Sequence, residues 1–148
     1  MSDNQDLIKL YSGQILALAA DIPLTDRLAH PTASVKERAP LCGSTVTVDL
    51  CVEQGRITEF GQDVKACALG QAAASVVASN IIGCTAAQIT TARDQMSAML
   101  RDGGPVPDAP FDGLKVLQPA AAYKNRHASI MLSLVAISKA LSVGNMAE

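Results

Sequence analysis

Two cysteines flank a predicted β-hairpin, and they are the residues whose placement best suits chemistry. Cys42 precedes a segment of alternating hydrophobic residues, and Cys67 follows the segment that returns. A hairpin over these segments would bring both thiols to its open end, where they could hold a thiophilic metal or sulfur. The alternative is that both are small buried hydrophobic residues, which is a common use of free cysteine.

Cys67 also lies where a helix is predicted to begin. Unpaired amides and the helix dipole favour an anion at such a position, so we expect the pKa of this thiol to be lowered. Cys42 is followed by Gly43, whose backbone can turn sharply. Cys51 and Cys84 have no partner at metal-ligand spacing and are predicted to be structural.

The chain has two histidines, and only His127 is a candidate for the same site. It falls early in the predicted last helix, the start of which could close over the cysteines. His30 precedes a proline and is interpreted as a loop residue. A thiol enzyme with Cys67 as nucleophile and His127 as base is an alternative, but no oxyanion or substrate motif accompanies the pair.

Hydrophobic periodicity predicts the elements that must position these residues. A first helix is predicted over residues 3–20, capped by Asp3 or Asn4. Residues 21–40 carry three prolines and are predicted to be mostly loop, with a short strand at Ala33–Arg38. Strict alternation predicts a strand over residues 44–52, a turn at 53–55, and a second strand over 56–64 that Gly61 interrupts.

A helix is predicted to follow the hairpin directly, from Cys67 to a stop at Gly83. It is small and apolar almost all round, which suits a helix buried against the sheet. A capping box at Thr85 predicts the start of the next helix, which glycines end after Asp102.

The last helix is predicted to start near Pro119, after a loop over residues 105–119, and to end at Gly144. We therefore predict an α+β fold, with a small antiparallel sheet of about three strands and helices packed on one face. At 148 residues, the chain suits a single domain over residues 1–148.

Composition excludes several classes of function. The net charge is −2 without a run of Lys or Arg, so neither nucleic-acid binding nor a basic membrane face is predicted. No apolar run approaches the roughly 18 residues of a membrane span, and the acidic first residues do not resemble a secretory signal. The predicted location is cytoplasmic, where the four cysteines would be free thiols or ligands.

The cysteine motifs, together with later residues, resemble the IscU/SufU/NifU N-terminal scaffold family. The resemblance rests on Cys42-Gly43-Ser44, on Cys67 at the start of an Ala/Ser-rich helix, and on a His127-Ala128 motif, and it spans residues 7–143. It implies an IscU/SufU-like fold and the assembly of iron–sulfur clusters. The implied partners are a cysteine desulfurase, which delivers the sulfur, and other iron–sulfur assembly proteins.

The resemblance implies that Cys42, Cys67 and His127 are the ligands of iron, of a 2Fe-2S type cluster, or of zinc. Three positions depart from the family pattern, and two of them fall on ligands: Ser44 replaces an aspartate, and Ala128 replaces the third cysteine. The third is Ala66, which replaces the glycine before the second cysteine. Because an alcohol is a poor ligand, three good ligands remain. The site could add a water molecule, or share a cluster with a partner or with the second subunit of a homodimer.

We therefore predict an iron–sulfur cluster assembly scaffold or carrier that is not an enzyme. In the family the third cysteine is implicated in accepting sulfur, so Ala128 bears most directly on that step. The alternative is a degenerate scaffold paralogue that binds zinc, or docks onto assembly proteins, without assembling a cluster.

Overall fold

The computed structural model describes residues 12–40 and 43–146. An antiparallel sheet of three strands, in the order β1-β2-β3, lies beside helices, which confirms the predicted α+β class. The strands are β1 (Ala33–Arg38), β2 (Thr45–Glu53) and β3 (Arg56–Lys65). The α-helices are α1 (Gly13–Ala20), α2 (Ala68–Ser79), α3 (Ala86–Asp102) and α4 (His127–Met146), and 3-10 helices span Asp112–Ala122 and Lys124–Arg126.

Strands β2 and β3 form the hairpin that alternation predicts. Val46, Val48 and Leu50 point into the core, on the side of the sheet that α4 covers. The predicted interruption at Gly61 is wrong, because β3 runs through it and the register shifts instead between Cys51 and Val52 of β2.

Gly61 is needed for a different reason, which is close packing of a loop. A Cβ atom at this position would collide with the backbone carbonyl oxygen of Asp26. Residues of this loop also bond to β3 nearby, since the amide of Gln62 donates to the carbonyl of Leu24 at 2.9 Å. The loop therefore lies directly on the strand.

Asp49 fastens the same loop to the sheet, on the face opposite the helices. Its side chain is fully buried. One carboxylate oxygen accepts from Arg27 Nε at 2.5 Å and from the Leu28 amide at 3.1 Å, and the other accepts from the Ser34 hydroxyl at 2.6 Å and from Arg27 Nη2 at 3.0 Å. Burial acts to raise the pKa of Asp49, but the bonds from Arg27, Ser34 and Leu28 outweigh it and leave that pKa below its usual value.

The first two α-helices end or begin at residues that periodicity did not predict. The helix predicted over residues 3–20 does not run continuously through Ser12, because Ser12 has extended backbone and caps a helix that begins at Gly13 by accepting from the Ile15 amide at 3.3 Å. Residues 3–11 of this prediction are not among those that the structure describes. The predicted caps Asp3 and Asn4 lie outside the described residues. Helix α2 stops at Ser79 rather than Gly83, since Gly83 donates to the Ile57 carbonyl at 2.7 Å and the chain joins the end of the hairpin.

Both predicted ends of α3 are confirmed. The Thr85 hydroxyl accepts from the Gln88 amide at 3.2 Å, the Gln88 side chain accepts from the Thr85 amide at 2.9 Å, and Gly103 ends the helix in the left-handed conformation (φ 67°).

The last helix was predicted wrongly at both ends. Helix α4 begins at His127, eight residues after Pro119, which lies inside a 3-10 helix. The non-helical backbone of Tyr123 (φ −110°, ψ 78°) separates that segment from α4. Helix α4 continues through Gly144 to Met146, so the predicted stop at this glycine is also wrong.

Candidate functional site

The site begins where the hairpin ends. Thr45 of β2 pairs with Lys65 of β3, so the residues just before Thr45 and just after Lys65 lie at the same end of the sheet. Cys67 follows by two residues and has the extended backbone of an N-cap (φ −66°, ψ 168°), with α2 beginning at Ala68. The thiol therefore lies both at the open end of the hairpin and at a helix N-terminus, as predicted.

One buried hydroxyl group contacts this thiol, and a second contacts the first. Cys67 Sγ lies 3.5 Å from Ser129 Oγ, and Ser129 Oγ lies 3.1 Å from Ser44 Oγ. Ser44 and Ser129 are 5% and 2% exposed, so water has little access to either hydroxyl. The three side chains form a chain of contacts that joins the start of β2, the start of α2 and the first turns of α4.

Gly70 makes this arrangement possible. A Cβ atom at Gly70 would lie 2.6 Å from Ser129 Oγ and 3.0 Å from the Ser129 carbonyl oxygen. Only glycine lets α4 approach the first turn of α2 so closely. Neither Gly70 nor Ser129 is among the site residues predicted from the sequence. The local signal for Gly70 is its place early in an apolar helix, where no stop is needed.

The surroundings of Cys67 favour its thiolate. Burial acts to raise the pKa, but the hydrogen bond from Ser129, the amides of Leu69 and Gly70 and the charge of Arg126 together lower the pKa below that of an ordinary thiol. This confirms the expectation from the helix N-terminus. Two of the groups that lower this pKa, Ser129 and Arg126, belong to α4 and to the 3-10 turn before it.

His127 begins α4 and contacts the 3-10 helix that precedes it. Its Nε2 lies 3.3 Å from the Ala120 carbonyl and 3.1 Å from the Ala121 carbonyl. Because carbonyl oxygens only accept, Nε2 carries a proton in this arrangement, and in the neutral ring the lone pair is then on Nδ1. The ring also borders a cleft of about 390 Å³, together with Lys124 and Arg101.

The predicted ligands are described only in part. Cys42 lies outside the described residues, and Ala128 offers no ligand atom. Across residues 12–40 and 43–146, no group of three or more His, Cys, Asp or Glu side chains is arranged to hold a metal ion. The set of Cys42, Cys67 and His127 therefore stays a prediction.

The other described cysteines are also free thiols. Cys84 is buried and donates to the Asn80 carbonyl at 3.1 Å; burial raises the pKa of its thiol, against a smaller opposite effect of Arg56. Cys51 is half-buried and lies 3.4 Å from the His30 carbonyl.

Comparison with solved structures first defines the class of fold. A putative iron–sulfur cluster assembly scaffold protein for the SUF system from Fervidobacterium islandicum superposes with a TM-score of 0.81 at 18% identity, over 90% of this chain and 98% of that one. A hypothetical protein gives a TM-score of 0.80 at 18% identity, over 91% and 98% of the two chains. At such identities the likeness concerns the fold alone.

A further match shows the family. The N-terminal part of a nitrogen-fixing NifU-like protein from Brucella abortus superposes with a TM-score of 0.94 at 40% identity, over 97% of this chain and 99% of that one. No protein-family model and no curated protein matches the chain. The chain belongs to the IscU/SufU/NifU family, in which it is similar to NifU N-terminal domains.

Proposed function

We propose that this protein is an iron–sulfur cluster assembly scaffold or carrier, with iron and the cluster as its cargo. The observation that carries the proposal is the 40% identity to a NifU-like protein over 97% of the chain. The fold likeness to a putative scaffold of the SUF system points the same way. The proposal is for a protein that holds cargo and not for an enzyme, and we assign it to the cytoplasm, where thiols stay reduced.

The chemistry at Cys67 supports this role. Thiolates are the preferred ligands of iron in clusters, and the pKa of Cys67 is lowered. The positive end of α2 and the charge of Arg126 would also attract anionic sulfur species to the same place. Cys42 is proposed as the second thiolate ligand, because it precedes Ser44 by two residues in the sequence.

His127 is proposed as the third ligand, through Nδ1. A histidine that binds a metal usually donates its other ring N–H to a carbonyl or carboxylate, which orients the ring. The contacts of Nε2 with Ala120 and Ala121 supply such an orientation. The fourth position, at which Ala128 offers nothing, would be taken by water, by a partner such as a cysteine desulfurase, or by a second copy in a homodimer.

Anaerobic reconstitution with iron and sulfide tests the proposal. The wild-type protein is expected to gain visible absorption of the 2Fe-2S type together with acid-labile sulfide, and Cys42→Ala and Cys67→Ala are expected to lose both. Cys51→Ala is the matched control, because Cys51 pairs with Glu59 near the turn of the hairpin, away from the open end where Cys67 lies, and its loss should leave the spectrum unchanged. A colourless wild-type protein would reject cluster assembly.

A second candidate is a zinc-binding or protein-interaction module on the same fold. It is favoured by the two ligand positions that offer no good ligand, Ser44 with an alcohol and Ala128 with a methyl group, because they leave fewer ligands than a cluster usually takes. Metal analysis of the purified protein separates the two functions. Stoichiometric zinc without sulfide supports the zinc module, and absence of any metal after reconstitution supports a role in protein interaction alone.

A further inference from the structure

The Ser129 side chain contacts both Cys67 and Ser44. We propose that Ser129 is a positioning residue, whose hydroxyl donates a hydrogen bond to the Cys67 sulfur and fixes the direction in which that sulfur meets its cargo. This inference rests on the proposed function. It concerns a residue next to Ala128, at which the family's third cysteine is missing.

The direction of the hydrogen bonds follows from the chemistry of the ligand. A sulfur that binds iron is a thiolate, which accepts hydrogen bonds and donates none. The 3.5 Å contact must then run from the Ser129 hydroxyl to the Cys67 sulfur. Ser129 Oγ is left to accept, and the Ser44 hydroxyl at 3.1 Å can donate to it. Ser44 thus acts as a donor to Ser129, although its alcohol is a poor metal ligand.

Packing holds Ser129 in this orientation. The side chain lies between the first turn of α2 and the start of β2, and it is only 2% exposed. The gap left by Gly70 accepts its Oγ, which would be 2.6 Å from a Cβ atom at that position. Because water cannot replace a lost partner here, breaking either contact would leave a buried polar atom unpaired, which costs free energy.

A hydrogen bond from Ser129 to the Cys67 sulfur should change the affinity for the metal and the reduction potential of the cluster. Residues that orient a ligand typically change metal affinity by about 10- to 100-fold when they are removed. Hydrogen bonds to the sulfurs of a cluster also stabilise its more negative, reduced form and so raise its reduction potential. We expect Ser129 to affect both quantities through Cys67 without contact with iron.

Ser129→Ala tests the proposal, with Ser133→Ala as its control. Ser133 lies one helical turn further along α4, is also 2% exposed, and has no hydrogen-bond partner for its hydroxyl among the described residues. The probe is Co²⁺, whose binding is followed by the thiolate-to-cobalt absorption and by competition with a chelator. Ser129→Ala is expected to weaken binding about 10-fold or more and to shift the absorption band, whereas Ser133→Ala should do neither.

Thermal unfolding of each apo-protein shows whether an effect is merely structural. A Ser129→Ala protein that is still fully folded at the temperature of the binding assay but binds Co²⁺ more weakly than Ser133→Ala supports the proposal. Equal Co²⁺ affinities and spectra for the two variants would overturn it. In the reconstituted protein, the reduction potential of Ser129→Ala should become more negative than that of Ser133→Ala.

A metal-free measurement keeps this test separate from the proposed function. At a pH well above the ordinary thiol pKa, every accessible thiol is ionised, and a hydrogen-bonded thiolate is a weaker nucleophile than a free one. Alkylation of Cys67, followed by mass spectrometry, should then be faster in Ser129→Ala than in Ser133→Ala by about threefold or more. Wild-type protein that binds neither Co²⁺ nor a cluster would refute the proposed function, whereas equal alkylation rates would refute the role of Ser129.

Discussion

Replacing the buried Asp49 with asparagine should destabilise the fold strongly while keeping the shape of the side chain. The carboxylate accepts four hydrogen bonds on its two oxygens, from Arg27 (twice), Ser34 and Leu28. An asparagine has one oxygen and one NH₂ group, so its NH₂ must face two of these donors. In the better orientation, the NH₂ group replaces the oxygen that accepts from Ser34 and from Arg27 Nη2. The Ser34 hydroxyl can rotate to accept from the NH₂ group. Arg27 Nη2 is itself a donor, so its bond is lost.

The size of the effect follows from what is lost. One bond from Arg27 disappears, and the remaining bonds lose the charge of the carboxylate. Since a hydrogen bond to a charged group contributes about 1.5–3 kcal/mol, we expect Asp49→Asn to lower the free energy of unfolding by about 2–4 kcal/mol. A domain of this size is typically stable by about 5–15 kcal/mol, so the variant should still fold.

Urea unfolding at two pH values measures both the magnitude and its cause. At neutral pH the midpoint should fall by about 1–2 M with an unchanged slope, which is typically about 1–3 kcal/mol per M. The pKa of Asp49 is lowered in the folded protein. Its stabilising effect is therefore complete above the unfolded pKa of about 3.9 and is lost as the pH falls through the lower folded value. The gap between wild type and variant should shrink in acid.

Asp63→Asn is the matched control, because this residue lies on the neighbouring strand β3 with its side chain 49% exposed. It faces Lys65 at 3.9 Å, a surface pair that should contribute less than about 0.5 kcal/mol. The reasoning fails if Asp49→Asn changes the free energy of unfolding no more than Asp63→Asn does. It also fails if the gap stays constant from neutral pH to about pH 3, well below the unfolded pKa.

Two further substitutions and one labelling experiment test other parts of the structure. Gly70→Ala should destabilise the protein by about 1–3 kcal/mol, measured by thermal unfolding, because its new methyl group would overlap Ser129. Thr85→Ala should lower stability by about 1 kcal/mol through loss of the α3 cap, measured by urea unfolding. With limiting iodoacetamide near neutral pH, Cys67 should be alkylated before Cys84, because the pKa of Cys67 is lowered and that of Cys84 is raised, and mass spectrometry reads the order.

Each of the two substitutions has a control that is expected not to destabilise the protein. A Cβ atom at Gly13 in α1 would meet nothing within 4 Å, so Gly13→Ala should not destabilise. Thr91→Ala, at an exposed position inside α3, should be neutral or slightly stabilising, since alanine is the better helix former. If Gly70→Ala or Thr85→Ala lowers the stability no more than its control does, the packing or capping argument for that residue is wrong. If Cys84 is alkylated before Cys67, the pKa argument is wrong.

Several elements could be predicted because local chemistry defines them. Alternation of valines located β2, the Thr85 and Gln88 pair located the start of α3, and the Ala-rich stretch after Cys67 located α2. Predictions failed where distant contacts override a local preference. Helix α2 ends early because Gly83 bonds to β3, and Pro119 lies in a 3-10 helix instead of starting α4.

The sequence by itself determined the three-stranded sheet and the place of Cys67 at the start of a helix, because these depend on residues close together along the chain. The spacing of its motifs at residues 42–44, 67 and 127–128 indicated the family. Only the tertiary structure decided what surrounds that thiol. Ser129 lies 62 residues beyond Cys67 and 85 beyond Ser44, and Gly70 sets how closely their helices approach. Periodicity shows which face of an element is buried, but the partner on that face depends on how all the elements pack.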